Sequence, residues 1–251
     1  MRITLLTLST LFLSTRLFAQ KIELSIQANS GLFHYSGNGA ASTSFINEGE
    51  TDKQDYTNNP YGNKNGFSYG GDVQAQYISK SGFIAGLQAG YEVLRSKVDI
   101  SDYDPITFIL FTGINTPAAL QIPVKGQTFL QDQDIDINPY VGYRLSLKKI
   151  KIDIMPGVDV GFNVDSYDKG SATGTDGTIY KVDYKMPKSP TDVRLRLGLA
   201  ATCKRFGLTA SFAHGLTNFA SNLDVNAGGT TTPAPNVHSE LIRFGISYRI
   251  F

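Results

Sequence analysis

The chain has no tryptophan, one cysteine and three histidines. Because Cys203 is alone, an intramolecular disulfide and a CxxC metal or redox site are excluded. The 23 lysines and arginines nearly balance the 22 aspartates and glutamates, and a chain without a basic excess is not typical of nucleic-acid-binding proteins. Beyond its first 20 residues the chain also lacks a run of about 18 apolar residues, so no transmembrane helix is predicted.

The N-terminus has the pattern of an export signal. Met1 and Arg2 precede the mainly apolar run Ile3–Leu13, and Ala19 before Gln20 is a plausible cleavage residue. We therefore predict a signal peptide at residues 1–19 and a single exported domain at residues 20–251. Residues 1–19 hold two of the 23 cationic and none of the 22 acidic side chains, so residues 20–251 carry a formal net charge of −1.

The remaining chain is dominated by an alternation of apolar and polar residues with a period of two, which is typical of β-strands with two unlike faces. In the segment Leu241–Phe251, one face carries Ile242, Phe244 and Ile246, while Arg243 and Arg249 lie on the other. Seven further segments repeat the pattern, at residues 22–29, 67–77, 83–93, 134–145, 150–164, 193–202 and 208–216. The sequence therefore predicts eight strands, an even number.

The connections between these segments alternate between long and short. The long ones are Gly37–Asn65, Lys97–Thr128, Ser166–Lys188 and Ala220–His238, and the short ones are Ser79–Gly82, Leu147–Lys149 and Lys204–Gly207. A soluble up-and-down barrel has no physical reason to place every long loop at one end, whereas outer-membrane barrels keep the tight turns in the periplasm. We predict an all-β fold: an eight-stranded antiparallel up-and-down transmembrane β-barrel in the outer membrane of a Gram-negative bacterium, with periplasmic termini.

In such a barrel the charged face points into the lumen. Eight strands enclose a space just wide enough for side chains to fill, so we expect a polar plug rather than an aqueous channel. Buried charges must be paired, and the register predicts contacts between Glu23 and Arg249 and between Arg144 and Asp153. The predicted lumen network comprises Glu23, Asp72, Glu92, Asp134, Asp136, Arg144, Asp153, Asp159, Arg194, Arg196, Arg243 and Arg249.

Two patterns resemble metal or catalytic sites but have simpler interpretations. The acidic run Asp132–Asn138 has Ile137 where a calcium-binding loop needs glycine, and its acids share one strand face. Ser211 and His214 are residue types that a lipid-modifying barrel enzyme uses, but the alternation points them to opposite faces. We therefore predict no enzyme activity, no metal site and no cofactor.

The second long loop contains the most apolar stretch outside the predicted signal peptide. Exposed apolar area of this size often marks a contact surface, and the alternative is a lid that folds over the barrel mouth. The residues that would contact a partner are Ile106, Phe108, Ile109, Leu110, Phe111 and Ile114. The first and fourth long loops, with Asn58–Pro60 and Gly228–Pro233, are predicted to be polar and mobile.

Several short motifs resemble those of a known family. These are the Phe-Ala-Gln at the predicted cleavage point, the segment Ser211–Asn218 (SFAHGLTN) and the ending Tyr248–Phe251. Together with the eight strands they resemble the PorT-like outer-membrane β-barrel family, known mainly from Bacteroidota. Phe251 departs from the usual pattern because it lies in the opposite parity to Tyr248. The resemblance implies an outer-membrane barrel; most members have no assigned activity, while PorT itself is linked to type IX secretion.

These observations predict a non-enzymatic barrel that contacts outer-membrane lipid and has a mostly filled polar lumen. Its long loops would serve envelope structure or bind an envelope or secretion protein, and no nucleic-acid partner is expected. Two alternatives remain open: a narrow pore or small-hydrophobe conduit, and an accessory barrel of a type IX-like protein secretion machinery.

Overall fold

A computed structural model describes residues 21–50, 53–105, 121–220 and 235–251. The predicted signal peptide and the predicted partner residues Ile106–Ile114 lie outside the described residues. No helix in these ranges is long and apolar enough to cross a membrane. The strands are β1 (Lys21–Ser36), β2 (Thr43–Asn47), β3 (Tyr56–Thr57), β4 (Lys64–Ile78), β5 (Phe83–Asp104), β6 (Ile122–Leu147), β7 (Ile150–Gly174), β8 (Ile179–Met186), β9 (Asp192–Cys203), β10 (Phe206–Gly215) and β11 (His238–Arg249).

Eight of these strands form a closed barrel. Around the ring the order is β1, β4, β5, β6, β7, β9, β10 and β11, every neighbouring pair is antiparallel, and the pairing of β11 with β1 closes the ring. In the closing pair Ile26 lies opposite Tyr248 and Leu32 opposite Ile242. The predicted eight-stranded antiparallel up-and-down barrel is therefore confirmed.

The tight turns gather at one end of the barrel, which we call the turn end. They lie between β4 and β5, between β6 and β7, and between β9 and β10. The strand ends of β1 and β11 lie there too, since the amide of Leu24 donates to the carbonyl of Phe251 at 3.2 Å. Above the turns the outward side chains are apolar and about half exposed, as for Val73, Val141 and Leu197. An outward apolar band of this kind is the surface of a barrel that crosses a membrane.

Toward the opposite end, the loop end, three strands continue beyond their predicted limits. β5 reaches Asp104, β6 begins at Ile122 and β7 runs to Gly174, where it pairs with β8 as a hairpin. The prediction of long loops from Lys97 to Thr128 and from Ser166 to Lys188 was therefore wrong for their described parts. On these loop-end segments the apolar side chains point inward and the polar ones outward, as for Val98 and Lys97 on β5. The segments therefore lack the outward apolar face by which the other strands were predicted.

The described parts of the first long loop are polar in sequence, as predicted, but two short strands fold them into this extension, which the prediction of an irregular loop did not include. β2 pairs in parallel with β5, and β3 pairs with β2. Ile46 anchors the segment because its side chain is fully buried among Val98, Ile100 and Tyr103. The fourth-loop segment Gly228–Pro233 lies outside the described residues.

Candidate functional site

The candidate site is the lumen, where inward side chains are stacked in layers. Glycines on the lumen face make room for the longest of them. A Cβ atom at Gly161 would lie 2.6 Å from Nη2 of Arg194, and one at Gly86 would lie 2.3 Å from the hydroxyl oxygen of Tyr140. Side chains at these positions would displace the residues that fill the barrel.

The layer nearest the turn end contains both predicted ion pairs. Arg144 donates from Nε and Nη2 to the two carboxylate oxygens of Asp153, each at 2.6 Å, and from Nη2 to Glu23 at 2.9 Å. Arg249 Nη1 lies 3.1 Å from the other oxygen of Glu23. Glu23 is fully buried. Bidentate arginine–carboxylate pairs are among the strongest charge-assisted hydrogen bonds, so cations and carboxylates are well matched here.

The next layer is neutral, and its residues are not among those named in the predicted lumen network. The side chain of Gln74 contacts those of Gln27, Gln76 and Tyr140, and Met155 packs against Tyr140. These residues have the inward parity in the sequence, so the signal was present. The predicted lumen network contains only charged residues, so these neutral side chains are not part of it.

Arg243 organises the middle layer. It donates to both oxygens of Glu92, at 2.6 and 2.7 Å, and to Asp159 at 2.8 Å. Arg196 donates to the other oxygen of Asp159 at 3.2 Å. Three strands on different sides of the barrel, β5, β7 and β11, are thus connected across the lumen.

Arg194 occupies the same layer and is fully buried. Within 4.0 Å its guanidinium has carboxylate oxygens of Glu92, Asp134, Asp159 and Asp192, the shortest distance being 2.9 Å from Nε to Asp192. None of its N–H groups has hydrogen-bond geometry to a partner among the described residues. One cation is therefore shared by four carboxyl groups, and Asp192 is a member that the sequence interpretation missed.

The middle layer has more carboxyl groups than cations. Asp72 accepts a hydrogen bond from Asn29 at 2.6 Å, whereas Asp136 has no ion pair and its Oδ1 has no hydrogen-bond partner among the described residues. Among the described residues, neither acid forms an ion pair with the three arginines that the other acids share. The carboxyl groups are Asp72, Glu92, Asp134, Asp136, Asp159 and Asp192, and the cations are Arg194, Arg196 and Arg243.

An apolar cap closes the lumen above the charged layer. Tyr35 donates to Asp132 at 2.7 Å and packs edge-on against Phe219 with ring centroids 5.2 Å apart. Leu130 and Leu241 complete the cluster and are buried. Two cavities that reach lumen residues measure about 10 Å³ each, no more than the volume that a single water needs, about 10–15 Å³. At these layers the described side chains therefore fill the lumen.

Ser211 and His214, the residue types that a lipid-modifying barrel enzyme uses, lie on opposite faces of β10. Ser211 is buried in the lumen, whereas His214 is exposed and its Nδ1 lies 3.5 Å from Glu240. A serine and histidine arranged this way cannot exchange a proton. Within the described ranges, no group of three or more His, Cys, Asp or Glu is placed to hold a metal ion.

The segment that resembles PorT-like proteins forms a connector at the loop end. The amide of Leu216 donates to the carbonyl of Val193 at 2.7 Å. The side-chain oxygen of Asn218 accepts from the amides of Ala220 at 3.0 Å and Val237 at 2.9 Å. These bonds join the ends of β9, β10 and β11 beside the apolar cap, so local structure accounts for the Gly-Leu-Thr-Asn residues.

No protein-family model and no curated protein sequence matches the chain. Among solved structures, the attachment invasion locus protein Ail of Yersinia pestis is 12% identical, over 92% of this chain and 99% of its own, with a TM-score of 0.37. Neisserial surface protein A is 13% identical, over 90% and 96%, with a TM-score of 0.33. The translocator domain of the autotransporter NalP from Neisseria meningitidis is 9% identical, over 99% and 95%, with a TM-score of 0.28. The fold assignment rests on this chain's own strand pairing.

Proposed function

We propose that the chain is a non-enzymatic barrel of a Gram-negative outer membrane that displays its loop-end extension for envelope structure or for a protein partner. The filled lumen carries this proposal, because a pore needs a continuous wet path, and three layers of polar or charged side chains and an apolar cap occupy the place where it would run. The apolar outer band supports the membrane location. In this arrangement the turn end and both termini face the periplasm.

Vesicle swelling tests the closed lumen. Vesicles that contain the folded protein are expected not to swell in isotonic solutions of small sugars or amino acids, at any ratio of protein to lipid. Swelling that increases in proportion to the protein content would overturn the proposal and favour the narrow pore.

Cysteine labelling tests the display of the extension. In a Cys203→Ser background, Lys181→Cys places a thiol on exposed β8, and the matched variant Lys148→Cys places one in the exposed turn between β6 and β7. A membrane-impermeant maleimide is expected to label Lys181→Cys on intact cells, and Lys148→Cys only after the outer membrane is permeabilised. The reverse pattern would contradict the proposed orientation.

A second candidate is an accessory barrel of a type IX-like secretion machinery. It rests on the resemblance of Ser211–Asn218 to PorT-like proteins and on the apolar second loop. Co-purification with secretion components that is lost on deletion of residues 106–114, while Lys181→Cys is still labelled on intact cells, would support this role. Unchanged co-purification after the deletion would exclude that loop as the contact.

A further inference from the structure

The outer face of the barrel has an apolar furrow near the turn end, with a volume of about 680 Å³. Ala28 and Ala201 leave space in it beside Phe206, Leu208 and Ile246, which are 71%, 67% and 65% exposed. The volume is in the range of clefts that bind small ligands, about 300–1,000 Å³. The furrow therefore combines short side chains with unusually prominent apolar neighbours.

A cation is held at the margin of the furrow. The turn residues Lys204 and Arg205 directly precede Phe206. Arg205 donates from Nη1 to the hydroxyl of Tyr248 at 3.3 Å, and the ring of Tyr248 lies 5.2 Å from that of Phe206. Since Tyr248 and Phe206 both line the furrow, the guanidinium lies where the apolar surface meets the turn.

The whole turn end is basic. Each tight turn carries exposed cations: Lys80 in the first, Lys148 and Lys149 in the second, and Lys204 and Arg205 in the third. Glu23 and Asp153, the carboxylate side chains at this end of the described barrel, are buried and paired with arginines. The cations of the turns are therefore not offset by exposed carboxylate side chains.

We propose that the furrow and Arg205 form a binding site for an anionic phospholipid, with an acyl chain along the furrow and the phosphate at Arg205. The inference rests on the proposed membrane location. Guanidinium groups match phosphate geometry, and each basic residue near an anionic membrane surface adds to the attraction. A zwitterionic phospholipid fills the same furrow but carries no net charge, so the basic margin favours the anionic headgroup.

Fluorescence quenching tests this site, because the chain has no tryptophan of its own. Phe206→Trp places a single indole in the furrow. Phe83→Trp is the matched control, because Phe83 also faces outward near the turn end, is 46% exposed and lies on β5 across the barrel. Each variant is folded into vesicles that contain brominated phosphatidylglycerol or brominated phosphatidylcholine as the quencher.

We expect the phosphatidylglycerol probe to bind about fivefold more tightly than the phosphatidylcholine probe at Phe206→Trp, the size of effect expected for one basic residue at an anionic surface. At Phe83→Trp the two probes should quench nearly equally. Adding Arg205→Gln to Phe206→Trp should remove the preference, Arg205→Lys should keep most of it, and Lys80→Gln should leave it unchanged.

Three results would contradict the inference or its basis. Equal quenching by both probes at Phe206→Trp would overturn the anionic site. Quenching at Phe83→Trp but not at Phe206→Trp would show that another occupant, such as a second copy of the chain, covers the furrow. If neither probe quenches either variant, the barrel is not embedded in lipid and the proposed function itself fails.

Discussion

The two halves of the barrel have opposite arrangements of polarity on continuous strands. In the turn-end half of β5, Leu87 faces outward and is half exposed, while Gln88 is buried in the lumen. In the loop-end half of the same strand, Val98 is fully buried and Lys97 faces outward. The pleat decides which residues share a face, and the surrounding medium decides which face is apolar. The outer face of the turn-end half is apolar and suits hydrocarbon, whereas the outer face of the loop-end half is polar and suits water.

The largest expected effect comes from the charged lumen of the turn-end half. Arg194→Met removes the cation that four carboxyl groups share. Breaking a buried ion pair by removing one partner costs about 3–5 kcal/mol, so the urea midpoint of unfolding, followed by gel mobility of unheated samples, should fall strongly. Arg95→Met, on the partly exposed outer face, is the control and should change it little. A loss below about 1 kcal/mol for Arg194→Met would show that the layer does not depend on this cation.

The apolar core of the extension should respond locally. Ile46→Ala leaves a cavity in the cluster of Val98, Ile100 and Tyr103, and such truncations cost about 2–5 kcal/mol. Limited proteolysis should cut residues 43–57 faster while the barrel itself stays folded. Ile179→Ala, at a position that is 59% exposed, should have no such effect. Cooperative unfolding of the whole barrel by Ile46→Ala would contradict the separation of the two halves.

Within the lumen, the matched and the acid-rich layers should respond differently to loss of one charge. Asp153→Asn removes the bidentate partner of Arg144 and should cost about 2–3 kcal/mol. Asp136→Asn removes a charge that has no ion pair, so stability should stay the same or rise. The comparison uses the same unfolding assay and the same chemical change. Equal destabilisation by both would refute the acid excess of the middle layer.

A smaller, pH-dependent effect is expected in the extension. Asp168 lies four residues beyond Val164, the last apolar outward residue of β7, and accepts hydrogen bonds from the Thr57 amide at 2.7 Å and the Thr57 hydroxyl at 3.0 Å. Burial raises the pKa of Asp168 from 3.8 to about 6, and these hydrogen bonds only partly oppose the rise. A raised carboxyl pKa favours folding below the unfolded value, and this contribution is lost as the pH rises through the folded value.

Proteolysis of residues 43–57 should therefore be slower at about pH 4 than at about pH 7.5, after correction for the protease's own pH dependence. Asp168→Asn removes the titrating group and should flatten this dependence. If the variant keeps the full pH dependence, another group controls docking of the first loop.

The strands and the direction in which their side chains face could be predicted from local alternation. The two turn-end ion pairs could be predicted from the register across a short turn, for Arg144 and Asp153, and from closure of the ring, for Glu23 and Arg249. The extension could not be predicted, because strands of a membrane barrel are recognised by their outward apolar residues, and after Val93 the apolar residues of β5 face inward instead. The parallel pairing of β2 with β5 is a long-range contact without a local signal. A bulge between Asn163 and Asp165 also shifts the parity of β7, which brings Ser166 and Asp168 inward.

Single-channel recording in planar bilayers tests the central claim, that charged layers and an apolar cap close the lumen. With insertion verified by the gel mobility of unheated samples, the protein is expected to produce no steady conductance steps in salt solution at either polarity. Reproducible ohmic steps from the wild-type chain would contradict a lumen filled by Glu23, Arg194, Arg243 and Tyr35.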